Sequence, residues 1–267
     1  MKETSEIWTG EALGYDRTRP TPPPILLDIL TQLIHAPYPA LVVDLGSGTG
    51  LSTTIWGERA QRVIGIEPNA DMRTQAIHKL EHHPYAARIE YREGVAQWTG
   101  LPDECADIVT CAQSLHWMEP TSTLAEVARI LRPGGLFAAY DYTWPPILNW
   151  ELELVYQEVD KRFADLMQER GLVQNLQKWP KDTHLDRMRS SGHFRFTREL
   201  FLHHIEQGDA TRFIEMILTN AYSHQFKLKT ITEQEIDFDR LKEAALQHIG
   251  SESIPWYFSY KVRIGIK

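Results

Sequence analysis

Three glycines at alternate positions, Gly46, Gly48 and Gly50, follow an acid, Asp44, in the stretch L-V-V-D-L-G-S-G-T-G-L that runs from Leu41 to Leu51. With no Cβ in the way, the backbone at such positions can come close to a ligand and offer it N–H groups. A carboxylate next to that loop would repel a diphosphate and attract a ligand carrying a sulfonium and an ammonium. Dinucleotide loops run G-x-G-x-x-G, the last glycine serving close helix packing. Here the third glycine comes one residue early and Leu51 takes its place. The loop therefore favours S-adenosylmethionine (SAM) over NAD. A second acid, Glu67, lies about 20 residues further on, where nucleotide folds place the carboxylate that accepts from both ribose hydroxyls. The third reactive group is His116, whose imidazole, with an ordinary pKa of about 6.5, could take a proton from a methyl acceptor. Equally, His116 and Trp117 could simply floor a pocket or cap the following helix.

These groups need elements to hold them. Leu41 to Leu45 is apolar except for Asp44 and reads as a strand buried on both faces, and Leu51, Thr54 and Ile55 begin an amphipathic helix. Arg62 to Glu67 is a second strand, after which Asn69 is a natural N-cap. Met72, in the first turn of that helix, either packs on a ligand ring with its thioether or serves as core. Ile89 to Arg92 and Asp107 to Ala112 are the next strands, and the third leads to Gly94, Val95 and Ala96. A helix from about Pro120 stops at the breaker Arg132-Pro133-Gly134-Gly135, and Leu136 to Tyr140 is the fifth strand. Strands alternating with helices predict a parallel, doubly wound sheet, in which ligands sit beyond the carboxyl ends of the strands. Asp44, Glu67, Gly94 to Ala96, Gln113 and Asp141 all fall at those ends.

Four ordered stretches, V-V-D-L-G-S-G-T-G, G-I-E-P-N-A-D-M, A-D-I-V-T-C-A-Q-S-L-H-W and R-I-L-R-P-G-G-L, resemble the motifs of class I SAM-dependent methyltransferases. The A-Q-S-L-H-W stretch and Tyr15-Asp16-Arg17-Thr18-Arg19-Pro20 are similar to the small-molecule branch that includes trans-aconitate methyltransferase, over residues 10 to 142. The resemblance implies that Asp44 and the Gly46–Gly50 loop, with Ser47, hold the methionine end of SAM. It implies that Glu67 takes the ribose, with Pro68 beside it, and that Met72 packs on adenine. Gly94 and the Val95–Ala96 backbone would meet the adenine edge. Gln113 would lie near the sulfonium, and Arg19 or Tyr15 would close over the methionine carboxylate. Many relatives carry an acid or serine where Val95 stands, so the adenine amino contact would fall to backbone.

The second half reads differently. Trp144-Pro145-Pro146 is a linker, and Trp150 to Met167 has helical spacing. Trp179-Pro180 interrupts a shorter helical stretch, and Phe194 to Glu206 is rich in strand formers. Asp209 caps a helix, Thr232 with Glu235 forms a capping box for another that ends at Gly250, and Tyr257 to Ile266 is a last strand. With the resemblance, this predicts an α/β fold: a seven-stranded, mostly parallel sheet under a helical cap. The expected division is a SAM-binding core at 1–143, a cap insertion at 144–191, a core strand at 192–208, cap helices at 209–250 and a final core strand at 251–267. Trp117, Tyr142, Trp144 and His224 are candidates for lining the acceptor pocket.

Composition narrows the partners. A net charge of −8 over 267 residues argues against nonspecific nucleic-acid binding. No apolar stretch reaches the ~20 residues needed to span a bilayer, and the N-terminus lacks the apolar core of a signal peptide. Cys105 and Cys111 read as a reduced pair, which fits the cytoplasm. His82-His83 and His203-His204 are not metal sites by this reading, since adjacent strand residues face opposite ways and no cysteine flanks them. Arg187, Arg189, Arg195 and Arg198 suit a salt-bridged face better than an acidic-substrate site. The expected protein is a monomer or homodimer that transfers a methyl group from SAM to a small molecule, with carboxylate or hydroxyl oxygen favoured. The alternatives are a SAM-binding protein without catalysis and an NAD-dependent oxidoreductase.

Overall fold

The computed structural model describes residues 8–172, 178–219 and 221–267. Seven strands form one sheet: β1 (Leu41–Leu45), β2 (Arg62–Ile66), β3 (Ile89–Arg92), β4 (Ala106–Ala112), β5 (Leu131–Tyr142), β6 (Phe196–Gly208) and β7 (Ile254–Ile266). Their order is β3-β2-β1-β4-β5-β7-β6. The first five are parallel, and β7 enters antiparallel between β5 and β6. The chain reverses direction of travel across the sheet at β1 and β4, which makes the carboxyl ends of those two strands the crevice for a ligand.

The helices are α1 (Ala12–Thr18), α2 (Pro24–Leu33), α3 (Leu51–Thr54), α4 (Ala70–Leu80), α5 (Pro120–Ile130), α6 (Trp150–Glu169), α7 (His184–Ser190), α8 (Ala210–Leu218), α9 (Ala221–Lys227) and α10 (Phe238–His248). Several starts follow from their caps. Asn69 accepts from the Met72 N–H, Glu119 from the N–H groups of Thr121 and Ser122, Asn149 from those of Glu151 and Leu152, and Asp209 from that of Arg212.

The two faces of the sheet carry separate cores. Val42, Ile108, Ala138 and the inward side of β7 pack against α2, α6, α8 and α10. Val43, Leu45, Val109 and Phe137 pack against α5 on the other side. Period-2 alternation along β1 and β4 therefore puts Asp44 and Thr110, which are register partners, on the same face. The expected cap at 144–191 divides between these cores. Leu152, Val159 and Phe163 of α6 belong to the first, while Met188 of α7 belongs to the second, with Phe194 stacked on Phe137. Rather than standing apart, the helices of 209–250 share the core of the first face.

Some local expectations change. β5 starts at Leu131, upstream of the expected breaker, because Ala106 pairs with Leu131 before Ile108 pairs with Leu136. The intervening Pro133-Gly134-Gly135 forms an irregular bulge, held where Gly134 and Lys267 exchange backbone bonds through Gly134 N–H and Gly135 C=O. The capping box at Thr232 does close, as Glu235 accepts the Thr232 N–H at 2.9 Å. It opens only a 3₁₀ turn, Gln234–Ile236; Asp237, at φ 55°, turns the chain and α10 begins anew. Among the described residues no group of three or more His, Cys, Asp or Glu could hold a metal, and no helix is long and apolar enough to cross a membrane.

Candidate functional site

The glycine loop joins β1 to α3, and all three glycines have positive φ, at 66°, 56° and 83°. Their reasons differ. A Cβ on Gly46 would lie 2.7 Å from Ser114 Cβ, and one on Gly50 would lie 2.0 Å from the Tyr91 hydroxyl. Those two positions are small so that the loop can pack. A Cβ on Gly48 meets nothing within 4 Å among the described residues. Gly46, Ser47 and Gly48 line a small cavity with Tyr15, Arg19, Gln113 and Tyr142. The middle glycine is thus the one that leaves room for a ligand against bare backbone.

The two acids divide the work. Asp44 is fully buried and accepts from Ser52 Oγ (2.5 Å), Thr53 Oγ1 (2.7 Å) and Thr110 Oγ1 (2.8 Å). It lies beneath the loop, tying β1 to α3 and β4, and does not line the cavities described here. Burial raises its pKa, and the three hydroxyl bonds oppose that. Its pull on a cationic ligand would act through the loop rather than by contact. Glu67 is also buried, but its oxygens reach the loop: Oε2 accepts the Gly48 N–H and Oε1 the Asn69 N–H, both at 2.8 Å. Burial raises its pKa too, against those two N–H groups.

Pro68, Met72, Gly94, Val95 and Ala96 stand at the carboxyl ends of β2 and β3, outside the lining of both cavities. Met72 is buried in the first turn of α4. Val95 pairs with Trp98 in a short turn, whose Trp98 N–H donates to the Val95 carbonyl.

Tyr15, Arg19, Gln113 and Tyr142 also line a second, larger cavity of about 340 Å³. Its walls include Trp8, Trp117, Phe163 and Tyr222, and its polar groups include His116, Lys178, Asp160, His224 and Gln225. The cavity brings Trp117, Tyr142 and His224 together. Trp144 does not line it: its ring stacks on Phe213, 5.5 Å away, within the core. Arg19 is held by Tyr142 Oη at 3.0 Å and by the Met216 and Thr219 carbonyls that end α8. Burial pushes the Tyr15 phenol up to about 12.

Gln113, which lines both cavities, is joined to a charged chain that sequence reasoning missed. Gln113 follows β4 in the left-handed region, at φ 52°. Its Nε2 donates to the Tyr142 carbonyl at 3.2 Å, and its Oε1 accepts from Lys181 Nζ at 2.7 Å. Lys181 also pairs with Asp141 Oδ1 at 2.9 Å, and Asp141 Oδ2 meets the buried Arg263 at 2.8 Å. His116 Nδ1 is buried with no hydrogen-bond partner among the described residues, 3.9 Å from Asp141 Oδ1. The signal for this cluster is K-W-P-K, Lys178 to Lys181, two lysines on either side of an aromatic and a proline.

Burial, with Lys181 next, pushes His116 down to about 3, and burial likewise takes His184 to about 4. Both fall below the unfolded value of about 6.5, so their stabilising effect is complete above that pH and is lost on acidification toward the folded values. Unfolding free energy is expected to fall by roughly 2–3 kcal/mol per histidine between about pH 7 and pH 4. Urea titrations of the wild type and of His184→Gln would show the difference; parallel curves would exclude this contribution from His184.

Residues 43–139 match the family model described as a methyltransferase domain. An uncharacterized methyltransferase of Mycobacterium tuberculosis, Rv3342, is 36% identical over 162 residues, covering 60% of this chain and 62% of that protein. The chain thus spans less than two thirds of the length of this relative. The uncharacterized methyltransferase YcgJ of Bacillus subtilis is 26% identical over 111 residues, 40% of this chain and 44% of its own length. A solved structure from Anaeromyxobacter dehalogenans has a TM-score of 0.63 at 23% identity, covering 93% of this chain and 97% of that one. The fold is therefore the Rossmann-like, seven-stranded type shared with that protein.

Proposed function

We propose that this chain, which carries a methyltransferase domain over residues 43–139, transfers a methyl group from SAM to a small-molecule acceptor by in-line displacement. The observation that carries this reading is the meeting of the two cavities. Four side chains, Tyr15, Arg19, Gln113 and Tyr142, line both. A donor seated against the glycine loop and an acceptor in the ring-lined cavity would meet there.

The residues present fit SAM. Gly48 leaves a cradle that a Cβ would fill, and Glu67 offers a buried carboxylate at the loop's edge. Gly46, Ser47, Gly48 and Gly50 would hold the methionine end, with Asp44 beneath and Tyr15 or Arg19 above. Glu67 and Pro68 would meet the ribose, and Met72, Gly94, Val95 and Ala96 the adenine. When bound, SAM supplies an electrophilic methyl on a cationic sulfur.

The chain's own contribution is orientation and exclusion of water. The aromatic walls desolvate the acceptor, which favours reaction of an anion with a cation, because water would stabilise the separated charges. Alignment of two bound partners can lower a barrier by ~7–11 kcal/mol. For the acceptor group we favour a carboxylate over a hydroxyl. Lys178, seated 4.5 Å from the Trp117 ring centroid, forms no salt bridge among the described residues; burial and Lys181 lower its pKa, and Asp160 in the same cavity only partly opposes them. His116 near 3 is a weak proton acceptor. Each pKa unit between a hydroxyl and its base costs about 1.4 kcal/mol, so an acceptor already ionised suits this pocket better. His116 then acts as a neutral hydrogen-bonding contact.

Calorimetry with S-adenosylhomocysteine tests the reading: saturable binding is expected, and its absence sinks the proposal. Binding with no methylated product from any of a panel of organic acids and alcohols would favour a non-catalytic SAM protein. Fluorescence enhancement of NADH on mixing would favour the oxidoreductase instead. His116→Ala is expected to lower turnover about tenfold with unchanged SAM affinity, from loss of one contact to the acceptor. The wild-type rate is expected to stay level between about pH 5 and pH 8. A break near pH 6.5 that vanishes in the mutant would restore His116 as a general base.

A further inference from the structure

Lys181 ties a surface segment to the place where the two cavities join. The segment from Lys178 to Lys181 lies along the loop that follows β4 at three points. Trp179 N–H donates to the His116 carbonyl at 2.8 Å, and the Lys178 ammonium sits over the Trp117 ring. Lys181 Nζ then reaches inward to Gln113 Oε1 (2.7 Å) and Asp141 Oδ1 (2.9 Å). Both targets stand at strand ends, Gln113 just after β4 and Asp141 within the end of β5.

Two features show that Gln113 needs this hold. A non-glycine residue at φ 52° is in a sparsely populated, strained region, so it persists only where its surroundings over-determine it. Its side chain is fixed at both ends, the oxygen by Lys181 and the nitrogen by the Tyr142 carbonyl. Asp141 supplies the other requirement. It is 6% exposed and also faces Arg263, so Lys181 completes its charge balance on the side toward His116.

We propose that Lys181 is a positioning residue for methyl transfer, clasping the Gln113 carboxamide against Asp141 so that donor and acceptor cavities keep a common wall. This rests on the function proposed above. The clasp acts through Gln113 and does not itself touch the methyl donor or the acceptor.

Lys181→Met removes the ammonium and keeps the stem, and Lys181→Arg keeps a donor able to reach both oxygens. With S-adenosylhomocysteine calorimetry and steady-state rates, Lys181→Met is expected to lower kcat about tenfold or more, the loss of a charged hydrogen bond. Lys181→Arg is expected to restore the rate to within about threefold of wild type, since a guanidinium can pair with carboxylate and amide together. A lysine whose ammonium faced solvent would not move the second readout, the titration of His116 followed by NMR in the cofactor-free protein. The groups facing His116 are Lys181, Asp141, Lys178 and His184. Removing Lys181 deletes the largest of the charges that hold it down, so its pKa should rise in Lys181→Met and stay low in Lys181→Arg.

Unchanged kcat and an unchanged His116 titration in Lys181→Met overturn the clasp. A rate loss in Lys181→Met that Lys181→Arg fails to restore does so as well. Should Lys181→Met not fold, Lys181→Gln replaces it under the same two readouts. Should wild type itself bind no S-adenosylhomocysteine, the methyltransferase reading falls, and the His116 titration still decides whether Lys181 governs that end of the cavity.

Discussion

Gly48→Ala is expected to weaken S-adenosylhomocysteine binding by about 10- to 100-fold while leaving the protein folded, since overfilling a fitted site costs roughly 1–3 kcal/mol. The backbone at Gly48 sits at φ 56°, where an L-residue costs about 1–2 kcal/mol. No clash adds to that penalty, because a Cβ there would meet nothing within 4 Å among the described residues. The space it would fill is the cavity edge. Gly50→Ala is the contrasting case: at φ 83°, its Cβ would lie 2.0 Å from the Tyr91 hydroxyl, so the loop and β3 would have to move. Melting temperature and calorimetry together separate the two. Gly50→Ala should lose stability first, and Gly48→Ala should lose ligand first. Wild-type affinity in a folded Gly48→Ala protein would mean that no ligand lies against this loop.

This contrast also shows what a sequence can and cannot convey. The spacing of Gly46, Gly48 and Gly50 after an apolar strand is local information, and it placed the loop correctly. The same spacing makes the three glycines look equivalent, whereas their roles differ because Ser114 and Tyr91 arrive from distant parts of the chain. Asp44 is a sharper example. A carboxylate two residues before the loop could face the ligand, yet register with Thr110 turns it to the face beneath, toward three hydroxyls. Which face an acid takes depends on pairing with β4, and that is not written near Asp44. The strands β1 to β4 were legible because each is a short apolar run bounded by polar turns. β5 was misjudged at its start because Pro133 and the two glycines look like a stop, and a bulge tied to Lys267 carries the pairing through them.

The acceptor side was the least legible. Trp117 and Tyr142 stand at or just beyond strand ends, whereas His224 lies on α9 and no local pattern marks it, and Trp144 belongs to the core under α8. Lys178 and Lys181 sit in a stretch with no strong periodicity, and their importance comes from contacts with Trp117, Gln113 and Asp141, made across many residues. His116 was placed next to the reacting region by its position after β4. Its neutrality follows from burial and from Lys181, neither of which a reference pKa contains.

Glu67→Ala is expected to weaken SAM binding by about 2–4 kcal/mol and also to destabilise the fold by about 2 kcal/mol, because the carboxylate serves two sets of partners. Within the chain it accepts the Gly48 and Asn69 N–H groups, one on each oxygen. Each carboxylate oxygen has a second lone-pair direction, which leaves one acceptor per oxygen for the two ribose hydroxyls. Alanine removes all four possibilities and leaves two N–H groups seeking water in a buried place. Glu67→Gln is not conservative here, since its amide nitrogen would turn a donor toward either the Gly48 or the Asn69 N–H. It should therefore lose more stability than an exposed Glu→Gln change and still lose affinity. Calorimetry and thermal unfolding on the same samples decide between the roles. A lowered melting temperature with unchanged affinity would make Glu67 a fastening for the loop alone. Loss of both in the stated proportions is what one carboxylate shared between loop and ribose requires.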